Sequence, residues 1–286
     1  MGDSEPSKKY VMSKDGTRIG FLCHGIGPGI VLVQGAMATA YNFDQLAQFL
    51  AHNFTVYTPD RRGRGLSPKP YDSKHNIARD VEDVEAILTE TGANQIFGLS
   101  SGAMITLEAA RTLPQVTRAS VYEPPFYRDG ISHHGIQQLN AEIAQGDMAA
   151  ALVTSLRVAK TAPKVIQILP NPVARLLARF VLYIDDRKTV TYAKLRDLIP
   201  GIRYDFNVVG GMDGKMETLA SITKPMLLLS GTKSPAFLQQ SIRSLKGILP
   251  QAHHIEFDGL GHSGSWNASR GGCPRVVAKA LLEFFV

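Results

Sequence analysis

The chain has 286 residues, 44% hydrophobic and 20% charged, a globular balance that excludes a disordered or fibrous protein. A net charge of +6 is only mildly basic and does not by itself indicate a nucleic-acid binder. With two cysteines, Cys23 and Cys273, a disulfide framework is excluded and a reducing compartment is comfortable. No apolar run approaches the ~18 residues of a membrane span, and Met1-Gly2-Asp3-Ser4-Glu5-Pro6 has no signal-peptide character. The expectation is a cytoplasmic protein that engages no membrane.

In chain order, Lys9–Met12 and Arg18–His24 read as strands joined by the turn Ser13-Lys14-Asp15-Gly16. The β-branched run Ile30-Val31-Leu32-Val33 reads as a buried parallel strand. A short helix over Asp44–Ala51 and a strand over Phe54–Pro59 follow. Ile77, Val81, Val84 and Leu88 share one helical face, and Gly92 ends that helix. Gln95–Leu99 is predicted as strand, Ala103–Leu113 as helix and Arg118–Tyr122 as strand. This alternation indicates βαβ units and a mostly parallel sheet flanked by helices, an α/β fold.

From about Pro124 to Lys224 the patterns turn helical, at Ile136–Ala144, Met148–Val158 and Val173–Leu182. Alternation resumes with the strand Met226–Ser230, a helix around Pro235–Leu249, the strand His253–Phe257 and a last helix near Val276–Phe285. An insertion of about 100 residues is too long for a loop. The division expected is therefore a core of residues 1–123 and 225–286 with a mostly helical cap over 124–224.

Gly98-Leu99-Ser100-Ser101-Gly102 fits G-x-S-x-G, in which a sharp turn between strand and helix exposes a serine and only small neighbours leave room for it. The composition alone yields ~0.15 such matches, so the strand before it and the helix after it carry the assignment. A serine needs a base to take its proton. Of eight histidines, His262 stands in the flexible loop Gly259-Leu260-Gly261-His262-Ser263-Gly264 after the last strand, where a parallel sheet presents its carboxyl-end loops. His133-His134 point apart as neighbours and have no partner at metal-ligand spacing, so no metal is expected.

Over nearly its whole length, from about residue 9 onward, the chain resembles the α/β-hydrolases. The likeness rests on Val31-Leu32-Val33-Gln34-Gly35-Ala36, the turn Asp60-Arg61-Arg62-Gly63-Arg64-Gly65-Leu66-Ser67, the elbow at Ser100 and the loop at His262. Taken alone, Arg61, Arg62 and Arg64 suggest an RNA-binding cluster; the resemblance makes that turn architectural, and no nucleic-acid partner is expected. Members of this family usually carry an Asp after the strand that follows the cap, but Gly231-Thr232-Lys233-Ser234-Pro235 has Ser234 there. Glu123, in Val121-Tyr122-Glu123-Pro124-Pro125 at the end of the strand beside the elbow strand, is the substitute; Asp258, four residues before His262, is a poorer one. The zearalenone-type lactone hydrolases place the acid as at Glu123, and the elbow Ser100-Ser101-Gly102 also resembles theirs.

The resemblance implies an oxyanion hole made by the N–H of Ser101 with that of Gly35 or Ala36. Met37, Met104 and Trp266 are expected to line an apolar pocket. The leading expectation is a cofactor-free serine hydrolase acting on an ester or lactone of a small, largely apolar molecule. Ser100 is its nucleophile, His262 its base and Glu123 its acid. An internal hydroxyl in place of water would give lactone rearrangement or cyclisation. The alternatives are a small-molecule binding protein on a degenerate hydrolase scaffold, motivated by Ser234, and carbon–carbon hydrolysis or lyase chemistry on the same triad. Oligomeric state has no signature in the sequence.

Overall fold

A computed structural model describes residues 5–161, 164–189 and 193–286. Eight strands form one sheet: β1 (Ser7–Met12), β2 (Arg18–His24), β3 (Gly29–Val33), β4 (Thr55–Pro59), β5 (Gln95–Leu99), β6 (Arg118–Tyr122), β7 (Met226–Gly231) and β8 (His253–Phe257). Their order is β1-β2-β4-β3-β5-β6-β7-β8. β1 and β2 are antiparallel to their neighbours, and the strands from β4 to β8 run parallel. The core helices are α1 (Asp44–Leu50), α2 (Ile77–Thr91) and α3 (Ser101–Thr112). The insertion adds α4 (His133–Ala144), α5 (Met148–Val158), α6 (Lys164–Ile168), α7 (Asn171–Arg187), α8 (Leu195–Leu198) and α9 (Ile202–Gly211). α10 (Ala236–Ile248) and α11 (Pro274–Phe285) complete the chain.

Successive residues of a strand face opposite sides, so each central strand feeds two cores. Val31 and Val33 of β3, Ile96 of β5 and Leu228 of β7 pack with Val84 and Ile87 of α2, Ile105 and Leu107 of α3, and Ile242 and Leu245 of α10. Ile30, Leu32, Phe97 and Leu227 face the other way, onto Phe43, Leu46 and Leu50 around α1 and Val277 and Leu281 of α11. From β3 the chain winds first to β4 on one side and then to β5 on the other. The loops leaving β3 and β5 therefore diverge and open a crevice at the carboxyl edge of the sheet.

Strand and helix positions follow the sequence reading closely, with α2, β5, β6, α5 and β8 at the expected bounds. α7 is longer than the predicted Val173–Leu182, because it starts two residues earlier, at Asn171 with Pro172 in its first turn, and runs on to Arg187. α6, α8 and α9 were not anticipated. Two are a single turn or little more, and α9 is disguised by the Pro200-Gly201 before it and the Gly210-Gly211 on which it ends. The insertion has its own cluster, including Leu139, Leu152, Ala178, Ile202 and Phe206. α9 belongs to both bodies, because Val208 and Met212, with Leu219 and Ile222 after them, pack into the core on the α3 and α10 side. No helix among the described residues is long and apolar enough to cross a membrane.

Phe97 is fully buried in mid-sheet, its ring centroid 5.8 Å from that of Phe43. Truncation there leaves a cavity that rigid strands cannot close, so Phe97→Ala is expected to lower unfolding free energy by about 3–5 kcal/mol. Urea titration followed by circular dichroism measures it; a loss within experimental error of zero would contradict the packing described.

Candidate active site

Four described residues other than glycine have a left-handed φ, and three of them lie beyond strand ends at this crevice: Met37 (56°) in the loop after β3, Ser100 (57°) directly after β5 and Glu123 (48°) directly after β6. Such strain persists only where the surroundings enforce it, and it concentrates at functional sites. For Ser100 the enforcement is steric. A Cβ at Gly98 would overlap Thr106 Oγ1 and the Gly102 carbonyl, and one at Gly102 would overlap the Val33 and Gln34 carbonyls. Both glycines are required for β5, α3 and the β3 loop to come this close. The Ser100 N–H donates to the Tyr122 carbonyl at 2.9 Å, which ties the elbow to β6. Ser101 opens α3, where a backbone N–H has no carbonyl within the helix to receive it.

Glu123 follows β6 and has no exposed surface. Its Oε1 accepts from the Gly231 N–H at 2.8 Å, and its Oε2 lies 2.7 Å from His262 Nδ1. An ionised carboxylate only accepts, so the shared proton belongs on Nδ1 and the other ring nitrogen, Nε2, is left as the acceptor. The loop that carries His262 is fixed from below, where Tyr122 Oη donates to the Gly261 carbonyl at 2.9 Å. Ser234, at the place where a later acid was sought, is buried and its Oγ has no hydrogen-bond partner. Asp258 is exposed and accepts from Thr232 Oγ1 at 3.1 Å.

Ser100 and His262 open onto one cavity of about 230 Å³, with Gly35, Ala36, Met37 and Trp266 in its wall. Gly35 is the tightest point: a Cβ there would stand 2.8 Å from Ser100 Cβ and 3.1 Å from the Leu99 carbonyl. Met104, expected in the pocket, is not in its wall; it is fully buried in the core with α2. The elbow aims Ser100 out of the sheet while α3 runs back beneath it, so a residue one turn into α3 faces inward. Leu99 of β5 adds to the cavity wall, and the rest of it comes from the insertion: Ser155 and Leu156 of α5, Ala159 and Thr161 beyond it, and Ile202 and Phe206 of α9. α5 is apolar on almost every side, so no periodicity marked these residues.

The arginines of the turn after β4 face inward, at most 4% exposed. That burial removes the RNA-binding reading of the cluster. Arg62 forms a forked pair with Asp83, at 2.8 and 2.6 Å. Arg61 donates to Asp80 at 3.1 Å and to Asp205 Oδ1 at 2.5 Å, while Arg64 reaches Asp205 Oδ2 at 2.7 Å. Asp205 is on α9, and its Oδ1 also accepts from Ser101 Oγ at 2.7 Å. Arg64 further donates to the carbonyls of Gly35 and Ala38, at 3.2 and 3.3 Å. One buried carboxylate of the insertion thus holds both the residue after Ser100 and the loop after β3. Sequence reasoning missed Asp205 because its arginine partners lie more than 140 positions away.

Burial pushes the Asp205 carboxyl up, but the Arg64 and Arg61 guanidiniums outweigh it and hold it below the ordinary carboxylate range. At Asp80 burial acts the same way and is again outweighed, chiefly by Arg61, which leaves that carboxyl at about 2. A depressed native pKa contributes stability in full above the unfolded value and loses it as pH falls through the folded value. Stability is therefore expected to hold down to about pH 4 and to fall steeply from there toward pH 2. Asp205→Asn, which leaves two buried guanidiniums short of charge, is expected to cost about 3 kcal/mol at neutral pH and to flatten that acid slope. Urea midpoints at several pH values test both; an unchanged slope in the variant would mean that Asp205 is not ionised in the native protein.

A family model described as the alpha/beta hydrolase family matches residues 21–280. The chain is 27% identical over 115 residues to a cis-3-alkyl-4-alkyloxetan-2-one decarboxylase of Shewanella oneidensis, a match covering 38% of this chain and 36% of that protein. It is 30% identical over 118 residues to N-formylmaleamate deformylase of Pseudomonas putida, covering 40% and 44%. The chain therefore spans less than half the length of either curated relative. An alpha/beta hydrolase from Sphaerobacter thermophilus DSM 20745, known from its crystal structure, superposes with a TM-score of 0.78 at 29% identity, over 97% of this chain and 100% of that one. With the family model spanning most of its length, the chain belongs to the alpha/beta hydrolase family.

Proposed function

We propose that this hydrolase is a cofactor-free serine enzyme that opens an ester or lactone of a small, largely apolar molecule. The observation that carries the reading is the 2.7 Å hydrogen bond between the imidazole of His262 and the fully buried Glu123. A buried carboxylate has a high desolvation cost unless it is used, and here it fixes the histidine tautomer whose free nitrogen can take a serine proton. Ser100 Oγ attacks the substrate carbonyl carbon and its proton passes to His262 Nε2. That proton then goes to the departing alkoxide, leaving an acyl group on Ser100. Water, deprotonated by the same nitrogen, releases the acid. In a lactone the leaving alcohol stays tethered to the acyl group; its return regenerates the starting ring, whereas a second hydroxyl of the same molecule, deprotonated in place of water, displaces Ser100 and returns a rearranged ring.

The developing oxyanion needs two N–H donors. Ser101 supplies one. For the other, the Gly35 carbonyl is held by Arg64 at 3.2 Å, and in a trans peptide the following N–H points the opposite way. Ala36 rather than Gly35 is therefore the second donor, and the Asp205–Arg64 pair is what keeps that peptide from flipping.

The wall of this cavity carries no formal charge apart from His262 when it is protonated, and the one acid lining the smaller space that adjoins it at Ser100 and His262 is Asp205. The nearby Arg61 and Arg64 are already engaged by Asp205 and are not free to receive a carboxylate substrate. This favours a neutral ester over an anionic amide such as the one the deformylase relative is named for. The Shewanella relative is named for a four-membered cyclic ester bearing two alkyl groups, a class that an apolar cavity of about 230 Å³ accommodates. Loss of carbon dioxide is the second reading, and it rests on that likeness.

A fluorophosphonate probe is expected to label the protein stoichiometrically and to leave Ser100→Ala unlabelled. With an alkyl ester or lactone as substrate, Glu123→Gln is expected to lower kcat by about 10³- to 10⁴-fold, and Ser234→Ala by less than about 3-fold. Equal losses in the two variants would remove Glu123 from the relay, and absence of labelling would favour the binding-protein alternative. Mass analysis of products separates addition of water from isomerisation and from loss of carbon dioxide.

A further inference from the structure

Helix α7 carries small residues inward and large ones outward. Ala174 and Ala178, with Leu182, face the cluster shared with α5. Val173, Leu177, Phe180 and Ile184 form an adjoining outer face, and all four are exposed. Their spacing of four, three and four residues is the alternation that forms a seam against another helix. Leu176 (66% exposed) and Tyr183 (50% exposed) widen the seam along one edge. A soluble monomer rarely leaves a contiguous apolar face this large uncovered.

We propose that this face is the contact between two copies of the chain, α7 lying antiparallel against its counterpart across a two-fold axis. The seven apolar residues of this face, with Val181 at its far edge, are each 40% to 66% exposed and present on the order of several hundred Å² per copy, a large part of the ~800 Å² each partner contributes to a stable interface of standard size. The charge distribution fits a protein partner rather than a lipid one. Arg175, Arg179 and Asp186 gather on one flank, where Arg175 is paired with Asp147 and Asp186 lies 3.1 Å from Arg196, while Arg187 borders the seam at the end of the helix. The Arg187 guanidinium is stacked 4.1 Å from the Tyr183 ring. An interfacial helix on an anionic bilayer offers unpaired basic side chains along its polar face, whereas most of these are already engaged. The other flank continues through Val181 onto the apolar side. An isologous contact also requires only that one patch match itself, which a continuous row of Val, Leu, Phe and Ile does.

Through α5 this contact would back the wall that carries Ser155 and Leu156, joining the two insertions. Sedimentation velocity on the full chain, from about 1 to 100 µM, is the test. The wild-type protein is expected to sediment as a species of twice the 31.1 kDa chain mass. Leu177→Glu/Phe180→Glu is expected to be monomeric with an unchanged far-ultraviolet spectrum, since both side chains face solvent in the single chain. Should that pair of substitutions unfold the protein, Tyr183→Lys alone is expected to raise the dissociation constant at least tenfold, with Arg179→Glu on the charged flank as the silent control. A wild-type monomer across the whole range overturns the proposal, as does a dimer indifferent to both seam variants. Co-sedimentation of a wild-type monomer with vesicles of phosphatidylcholine and phosphatidylglycerol would overturn it in favour of a lipid surface.

Discussion

A carboxylate with no access to water must be satisfied from within, and Glu123 is satisfied on both oxygens, by the Gly231 amide on one side and the His262 imidazole on the other. The rest of the site is arranged around that bond. The Gly231 amide belongs to the end of β7, the imidazole to the loop after β8, and Glu123 itself to the end of β6, so three neighbouring strand ends are locked in one register. Ser100 on β5 joins them through its N–H to the Tyr122 carbonyl. The adjacent Tyr122 side chain props up the His262 loop. Four consecutive strands thus hold the constellation, and sheet strands hold such positions more rigidly than free loops do.

A second tier of buried charge surrounds this one. Arg61, Arg64, Asp80 and Asp205 are almost wholly removed from solvent and balance one another through short contacts. A buried ion pair of this kind adds little net stability over an apolar replacement, but losing one partner is expensive. What it adds here is geometry. Ser101 Oγ and the Gly35 carbonyl are both bound into the network, so the peptide groups beside them are fixed before any substrate arrives.

Much of this was legible in the sequence, for identifiable reasons. β-branched runs bounded by glycine and proline gave the strands, since buried parallel strands read as continuous apolar stretches. The elbow was legible because its two glycines are sterically obligatory. Glu123 was legible by contrast, because Ser234 occupies the position where an acid was sought. Met104 was misplaced because adjacency along the chain does not survive the turn at Ser100, which sends the serine outward and α3 inward. Asp205 was invisible for the complementary reason: its partners lie far away in sequence, and a lone aspartate in a short helix has no local signature. The insertion's share of the cavity wall was equally hidden, because apolar residues that line a cavity and apolar residues that fill a core are the same residue types.

The anchoring of α9 has a mechanical consequence. A lid held by apolar contact alone can slide, since such contacts tolerate small displacements, but Asp205 cannot leave Arg61 and Arg64 without stranding three charges in a dry environment. α9 is therefore a fixed post of the roof rather than a swinging door. The α5 wall of the cavity, by contrast, rests on the apolar cluster of the insertion, whose contacts tolerate such displacements.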